Sequence, residues 1–191
     1  MERTMSALKD RGIEAIAVSN GAQAREKLLS MLSDGAKIMA ASSTTLSEIG
    51  ISKEINESGR YAALNSEIAK EPDPVKRTQL RRQLPSPDYA IGSVHAVTQG
   101  GEILVATASA SQIPSYSFTA NRVILVVGTQ KIVASLVDGI RRIYEHSLPL
   151  ESRRMREAYG AAGSAVNQIL IFEGSRPGRI TVIFVKEVLG F

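Results

Sequence analysis

Apolar positions along the chain follow two rhythms. Residues 37–41, 122–128 (RVILVVG) and 180–185 (ITVIFV) are short, nearly continuous apolar runs, the pattern of strands buried on both faces. Residues 15–18, 88–97 (DYAIGSVHAV), 103–108 and 168–172 read as further strands. Between them lie helical patterns. Residues 22–32 place Ala24, Leu28, Leu29, Met31 and Leu32 on one side, with Asn20 as N-cap and Gly35 beyond the end. Residues 2–11, ending at Gly12, 45–49, 51–58, 131–146 and 148–159 are the other helical segments. Ile132, Leu136, Ile140 and Ile143 form one face of 131–146, and the last segment starts at Pro149 and stops at Gly160.

Helices alternating with continuously apolar strands predict an α/β fold with a mainly parallel sheet covered by helices on both faces. Gly100 and Gly101 between two apolar alternations predict an antiparallel hairpin, and EGSRPGR at 173–179 predicts a turn joining a second paired segment. Residues 66–86 are polar, with Glu71-Pro72-Asp73-Pro74 at their centre and a weakly apolar helix from Pro74 to about Leu84. They are expected to form a peripheral arm or lid on a single domain spanning 1–191.

Composition narrows the chemistry. There is no cysteine, which removes disulfides, a cysteine nucleophile and any thiolate-held zinc or iron–sulfur centre in this chain. With His95 and His146 as the only histidines, a dedicated structural metal site is not expected. The net charge of +4 is spread over short clusters, and aromatics are 5% with no tryptophan. A nucleic-acid surface would add stacking residues or one long basic stripe, so nucleic acid is not an expected partner. No apolar run is long enough for a membrane helix, and MERTMSALKDRG carries no apolar signal core. A cytoplasmic location is expected, without membrane insertion.

Three stretches could carry function. In KIMAASSTTLSEIG, Ser42, Ser43, Thr44 and Thr45 link a buried strand to a helix start. A hydroxyl-rich loop beyond a strand's carboxyl end suits phosphate or carboxylate, and it equally suits a helix cap, with Thr44 or Thr45 capping and Glu48 closing a capping box. The two coexist, because the cap needs one hydroxyl. In GSVHAV, which opens at Gly92, strand alternation places Ser93, His95 and Val97 on one face; His95 is a core histidine or a pocket base, with no nucleophile paired to it in sequence. In VVGTQKIV, a strand ends at Gly128, and Thr129 and Lys131 lead toward a helix, where Lys131 neutralises an anion or is simply solvated. No Walker loop, GxGxxG after a strand, HExxH or GxSxG is present.

ASSTTLSEIGI, DYAIGSVHAVTQGGEILVATASASQIPSY, NRVILVVGTQKIV, IRRIYEHSLPLESRRMREAYG and PGRITVIFVKEVLGF together resemble the lactate-utilisation (LUD) domain family, the group of lactate utilisation protein C. The similarity spans about residues 13–191 and is strongest in the last hundred. It implies a Rossmann-like α/β sheet of the NagB/RpiA/CoA-transferase type. It also implies that Ser42–Thr45 correspond to the small-residue loops with which sugar-phosphate isomerases of that fold hold phosphate. Relatives often carry an acidic residue just before the turn glycine, where CoA-transferases of this fold keep a nucleophilic glutamate. This chain has Gln99, whose amide forms no acyl anhydride, and Glu102 lies across the turn.

The resemblance implies an accessory, non-redox component of lactate or small organic-acid utilisation. Its expected ligand is a small anion (phosphate, carboxylate or nucleotide-like), bound by residues 42–45, 92–95 and 128–131. Its expected partners are iron–sulfur subunits of a lactate-oxidising system or a second copy of the chain. The alternatives are a free-standing isomerase- or ligase-type enzyme using His95, Glu48 or Glu102 in acid–base work, and a protein-interaction module docking through basic residues 132–159. The sequence names no cofactor.

Overall fold

The computed structural model describes residues 1–191 apart from the side chain of Glu67, which falls in the expected 66–86 arm and lies outside the described residues. The chain runs α1 (Glu2–Asp10), β1 (Glu14–Val18), α2 (Gly21–Ser30), β2 (Lys37–Ala40), the single turn α3 (Thr44–Glu48), α4 (Ile51–Glu57), β3 (Ala62–Ala63), α5 (Leu64–Ala69) and α6 (Pro74–Arg82). Next come β4 (Tyr89–Gly92), β5 (Ala96–Thr98) and β6 (Ile103–Thr107). A π-helical turn at Ser115–Thr119 precedes β7 (Arg122–Gly128), a 3-10 turn at Thr129–Lys131 and β8 (Ile132–Val133). α7 (Leu136–Arg142) continues through a second π-helical turn, Ile143–Ser147, into α8 (Leu148–Tyr159); β9 (Gln168–Phe172) and β10 (Ile180–Val185) follow.

Six strands form an all-parallel sheet in the order β1-β10-β7-β4-β2-β3. The continuously apolar runs predicted as doubly covered strands are its centre: β4 and β10 are buried throughout, and β7 at all but Arg122. On one face, Ile38, Ile91, Ile124, Val126 and Ile183 pack under Ala24, Leu28, Leu46, Ile51 and Ile55 of α2–α4. On the other, Ala90, Val123, Leu125, Val182 and Phe184 meet Leu8 of α1, Tyr116 and the inner face of a second sheet. That second sheet has the order β8-β5-β6-β9, and Leu136 and Ile143 cover its outer face over Ala96 and Leu104. Truncating a fully buried residue such as Leu28 to alanine costs about 2–5 kcal/mol. The helix caps are largely as predicted: Asn20 accepts from the Gln23 amide, and Pro74 opens α6, which buries no residue.

Three local expectations are corrected. The single strand predicted over 88–97 is two, because the chain leaves the large sheet at Gly92 and enters the small one at Ala96. Gly92 has no Cβ, and the Tyr116 hydroxyl occupies that space. Ser93 and His95 therefore do not share a strand face; they lie in the link between the sheets. The helix predicted from Lys131 begins only at Leu136, with Ser135 accepting from the Asp138 amide, because Ile132 and Val133 pair with Val97 and Thr98 instead. Of its predicted face, Ile140 is exposed and Ile132 belongs to a strand. Finally, β5 and β6 form the predicted hairpin, but EGSRPGR crosses between sheets: β9 pairs with β6, and the fully buried β10 enters the middle of the parallel sheet.

Candidate functional site

β2 and β4 are neighbours whose onward connections diverge. From β2 the chain moves outward to β3, and from β4 it moves the opposite way to β7. In an open α/β sheet this topological switch point opens a crevice beyond the strands' carboxyl ends. The loop 41–45 leaves β2 there, Ser93 leaves β4, and Thr129–Lys131 leave the adjacent β7. All three predicted stretches thus meet on one rim.

Lys131 is the centre of that rim. Its side chain is 2% exposed, and Nζ donates to Thr45 Oγ1 and to Ser93 Oγ, each at 3.1 Å. The 3-10 turn and the pairing of Ile132 with Val97 hold it inward, so the solvated-lysine alternative is overturned. Burial, then the charge of Arg142, pushes the ammonium down to about 7, while Glu48 pulls weakly the other way. Arg142, from the end of α7, donates through Nη1 to the His95 carbonyl (2.7 Å) and to Ser147 Oγ (3.0 Å). Its Nε and Nη2 make no hydrogen bond to a described residue. Neither Lys131 nor Arg142 has a carboxylate within ion-pairing distance among the described residues.

His95 is fixed by the Ala106 amide, which donates to Nδ1 at 3.0 Å. The neutral ring therefore carries its proton on Nε2. Burial, followed by the charges of Lys131 and Arg142, pushes it down to about 4. His95 is thus a neutral hydrogen-bond donor at neutral pH, which weakens its candidacy as a general base. His146 lies close enough to feel the same two cations, although burial is the main cause of its lowered pKa.

The SSTT question resolves by residue. Ser43 caps α3, accepting from the Leu46 amide at 3.4 Å, where Thr44 or Thr45 was expected. Thr45 is buried two residues further on and accepts from Lys131. α3 has only five residues before Gly50, in the left-handed region at φ 73°, starts a new helix, so the expected helix-dipole contribution is small. Ser42 is exposed, and Ser42, Thr44 and Thr129 make no side-chain hydrogen bond to a described residue. The capping box with Glu48 is absent, since the Glu48 carboxylate accepts from the Gly190 amide at 2.7 Å. Gly128 ends β7 against the backbone of Glu187 and Leu189.

Glu102 is not at this rim. It pairs with Arg11 and bonds Thr98, and Arg11 lies just before β1, at the opposite end of the parallel sheet. The Thr98 bond, opposed by partial burial, lowers its pKa, so it stays ionised as a structural partner of α1.

The rim is closed. Residues 187–190 cross it as a strap: Thr45 Oγ1 donates to the Leu189 carbonyl (3.3 Å), as does Gln130 Nε2 (2.8 Å), and the Glu187 carboxylate accepts from the Gly21 amide (2.9 Å). Gly190, at φ 60°, sits directly over the lysine, where a Cβ would run into Thr45 Oγ1 and come within 3.4 Å of Lys131 Nζ. Two open clefts lie elsewhere. One, about 410 Å³, is lined by Asp34, Asp88 and Arg122 near the strands' amino ends, and one, about 440 Å³, lies along α6.

The sequence reading missed Arg142, the strap and Tyr116. Arg141-Arg142 resembled an ordinary basic helix end, and nothing marked 186–190 as more than a tail. Tyr116 is 1% exposed, with its hydroxyl against Gly92 at the end of β4 and no hydrogen bond to a described residue. Among the described residues, no group of three or more acidic or histidine side chains could hold a metal ion, and no helix is long and apolar enough to cross a membrane.

No curated protein matches the chain's sequence. In structure it is similar to a DUF162 family protein from Deinococcus radiodurans, with a TM-score of 0.59 over 96% of this chain and 94% of that one. Their 16% identity makes this a likeness of fold. The sequence matches the LUD domain over residues 1–185, nearly its whole length. Because that match covers far more than half of the chain, the chain belongs to the LUD domain family.

Proposed function

We propose that the chain binds a small carboxylate-bearing organic acid at the rim of β2, β4 and β7, as a non-redox component of lactate or related organic-acid utilisation. The observation that carries this reading is the pairing of two neighbouring cations, Lys131 and Arg142, neither with a carboxylate partner among the described residues. Taking a cation out of water is costly, and a bound anion would supply the missing countercharge. Ser93 and, once the Leu189 carbonyl is displaced, Thr45 add neutral hydroxyl donors around it, and three unbonded N–H groups of Arg142 suit a two-oxygen acceptor. The lactate connection comes from family membership, and the anion preference from the side chains.

Calorimetry with L-lactate, pyruvate and inorganic phosphate tests the site. Wild type should bind a carboxylate, and Lys131→Met and Thr45→Val should each weaken it at least tenfold, about 1.4 kcal/mol. Unchanged affinity in both variants rejects the site.

The acid–base enzyme reading has support at one residue, since Lys131 titrates near neutral pH while His95 does not. Glu48 and Glu102 are committed to Gly190 and Arg11.

A further inference from the structure

Resting on the carboxylate-site reading, we propose that Lys131 is a carbonyl-capturing amine: it condenses through Nζ with the keto group of a 2-oxo acid whose carboxylate lies against Arg142. Four features of the geometry support this. Lys131 has no ion-pair partner among the described residues, so nothing fixes it as an ammonium. As a neutral amine, it places its two hydrogens on Thr45 Oγ1 and Ser93 Oγ, which leaves the nitrogen lone pair unoccupied. Arg142 stands near enough for its charge to act on Lys131 and retains unbonded N–H groups on Nε and Nη2. The Tyr116 hydroxyl, on a side chain 1% exposed, reaches the same strand end beside Gly92 without a hydrogen-bond partner among the described residues.

The step balances without an oxidant or reductant. The Nζ lone pair attacks the keto carbon, and the carbonyl π pair becomes an alkoxide that takes one amine proton, giving a carbinolamine. The C–O bond then breaks, the second amine proton leaves with that oxygen, and the products are one imine and one water. Thr45 and Ser93, which already hold the two hydrogens, are placed to relay them. The groups bearing on the amine are Arg142, His95, His146 and Glu48, and burial with Arg142 keeps an appreciable fraction of it unprotonated near pH 7. Access requires the strap to lift, because Gly190 covers Nζ.

The full chain is incubated with pyruvate and sodium cyanoborohydride at pH 7, and intact mass and peptide mapping locate any adduct. The expected result is one reduced pyruvate unit on Lys131, absent in Lys131→Arg and absent when L-lactate replaces pyruvate. Gly190→Ala, whose Cβ displaces the strap, should label several-fold faster; Gln130→Ala, which removes a strap hydrogen bond at lower structural cost, should do so if Gly190→Ala does not fold. Adducts confined to surface lysines and the α-amino group overturn the proposal. So does no Lys131 adduct in wild type and both strap variants while pyruvate still binds in a Lys131-dependent way; that result leaves the carboxylate site standing. Absence of both adduct and binding removes the two together.

Discussion

Two ends of the molecule carry charge in opposite ways. At the amino end of the parallel sheet, Glu102 meets Arg11, and Arg11 also reaches the Glu173 carboxylate at 2.9 Å. Each charge there has an opposite charge, and Thr98 adds a hydroxyl bond. At the carboxyl end, Lys131 and Arg142 share a crevice with hydroxyls, a neutral imidazole and backbone carbonyls, and no carboxylate pairs with either among the described residues. The first end holds α1 to the hairpin of β5 and β6. The second carries an uncompensated electrostatic cost, which a fold retains more readily when a ligand supplies the countercharge. Both ends offered plausible catalytic side chains in the sequence; local charge balance separates them.

The largest test falls on the rim's backbone. Gly92→Ala drives a Cβ into the Tyr116 hydroxyl, with the ring carbon bearing it only 2.8 Å away, and should destabilise the fold by about 2–3 kcal/mol in urea denaturation. Adding Tyr116→Phe should recover part of that loss. Next is the lysine. Its folded pKa, about 7, lies below its unfolded value near 10.5, so the unfolded chain holds more protons between those limits and stability rises with pH there. The stability that wild type gains between pH 7 and 9.5, relative to Lys131→Met, should be on the order of 2 kcal/mol. Equal slopes for the two proteins would place the ammonium in water and dissolve the contrast between the ends.

How much of this was legible follows from the range of each signal. Strands such as 122–128 and 180–185 announce themselves, because burial on both faces favours an apolar residue at nearly every position. The carboxyl-rim placement of residues 42–45, 93 and 131 was also legible, since every βα connection of a parallel sheet ends there. What a hydroxyl does on arrival was not. Thr44 or Thr45 was the expected cap of α3; Ser43 caps it instead, and Thr45 accepts from Lys131, 86 positions away in sequence. Arg142 was invisible for the same reason: its partners are a carbonyl 47 positions away and Ser147 across a π-helical turn. The split between β4 and β5 depended on Tyr116 filling the space beside Gly92, a contact between distant segments.

A smaller effect belongs to His95. Its folded pKa, about 4, lies below the unfolded value of 6.5, so its contribution is complete above pH 6.5 and is lost as pH falls toward 4. His95→Gln should flatten the wild-type stability slope across that window by about 1–2 kcal/mol, with less effect above pH 7. A histidine that titrates normally in NMR would show that neither burial nor the two cations shift it in solution.

The smallest effect tests the balanced end. Glu102→Gln keeps the side chain's shape and its ability to accept from Thr98 while removing the charge facing Arg11. Arg11 keeps Glu173 and the Gly100 and Glu173 carbonyls as partners, so the guanidinium is not stranded. With Arg11 about a quarter exposed, solvent screens much of the pair, and the cost should be about 1 kcal/mol or less. Carboxylate affinity should not change, because Glu102 bonds Arg11 and Thr98 and makes no contact with the groups that hold Lys131. If Glu102→Gln instead abolished binding while Lys131→Met left it intact, the functional end would be the one whose charges are already matched, and charge balance would have pointed the wrong way.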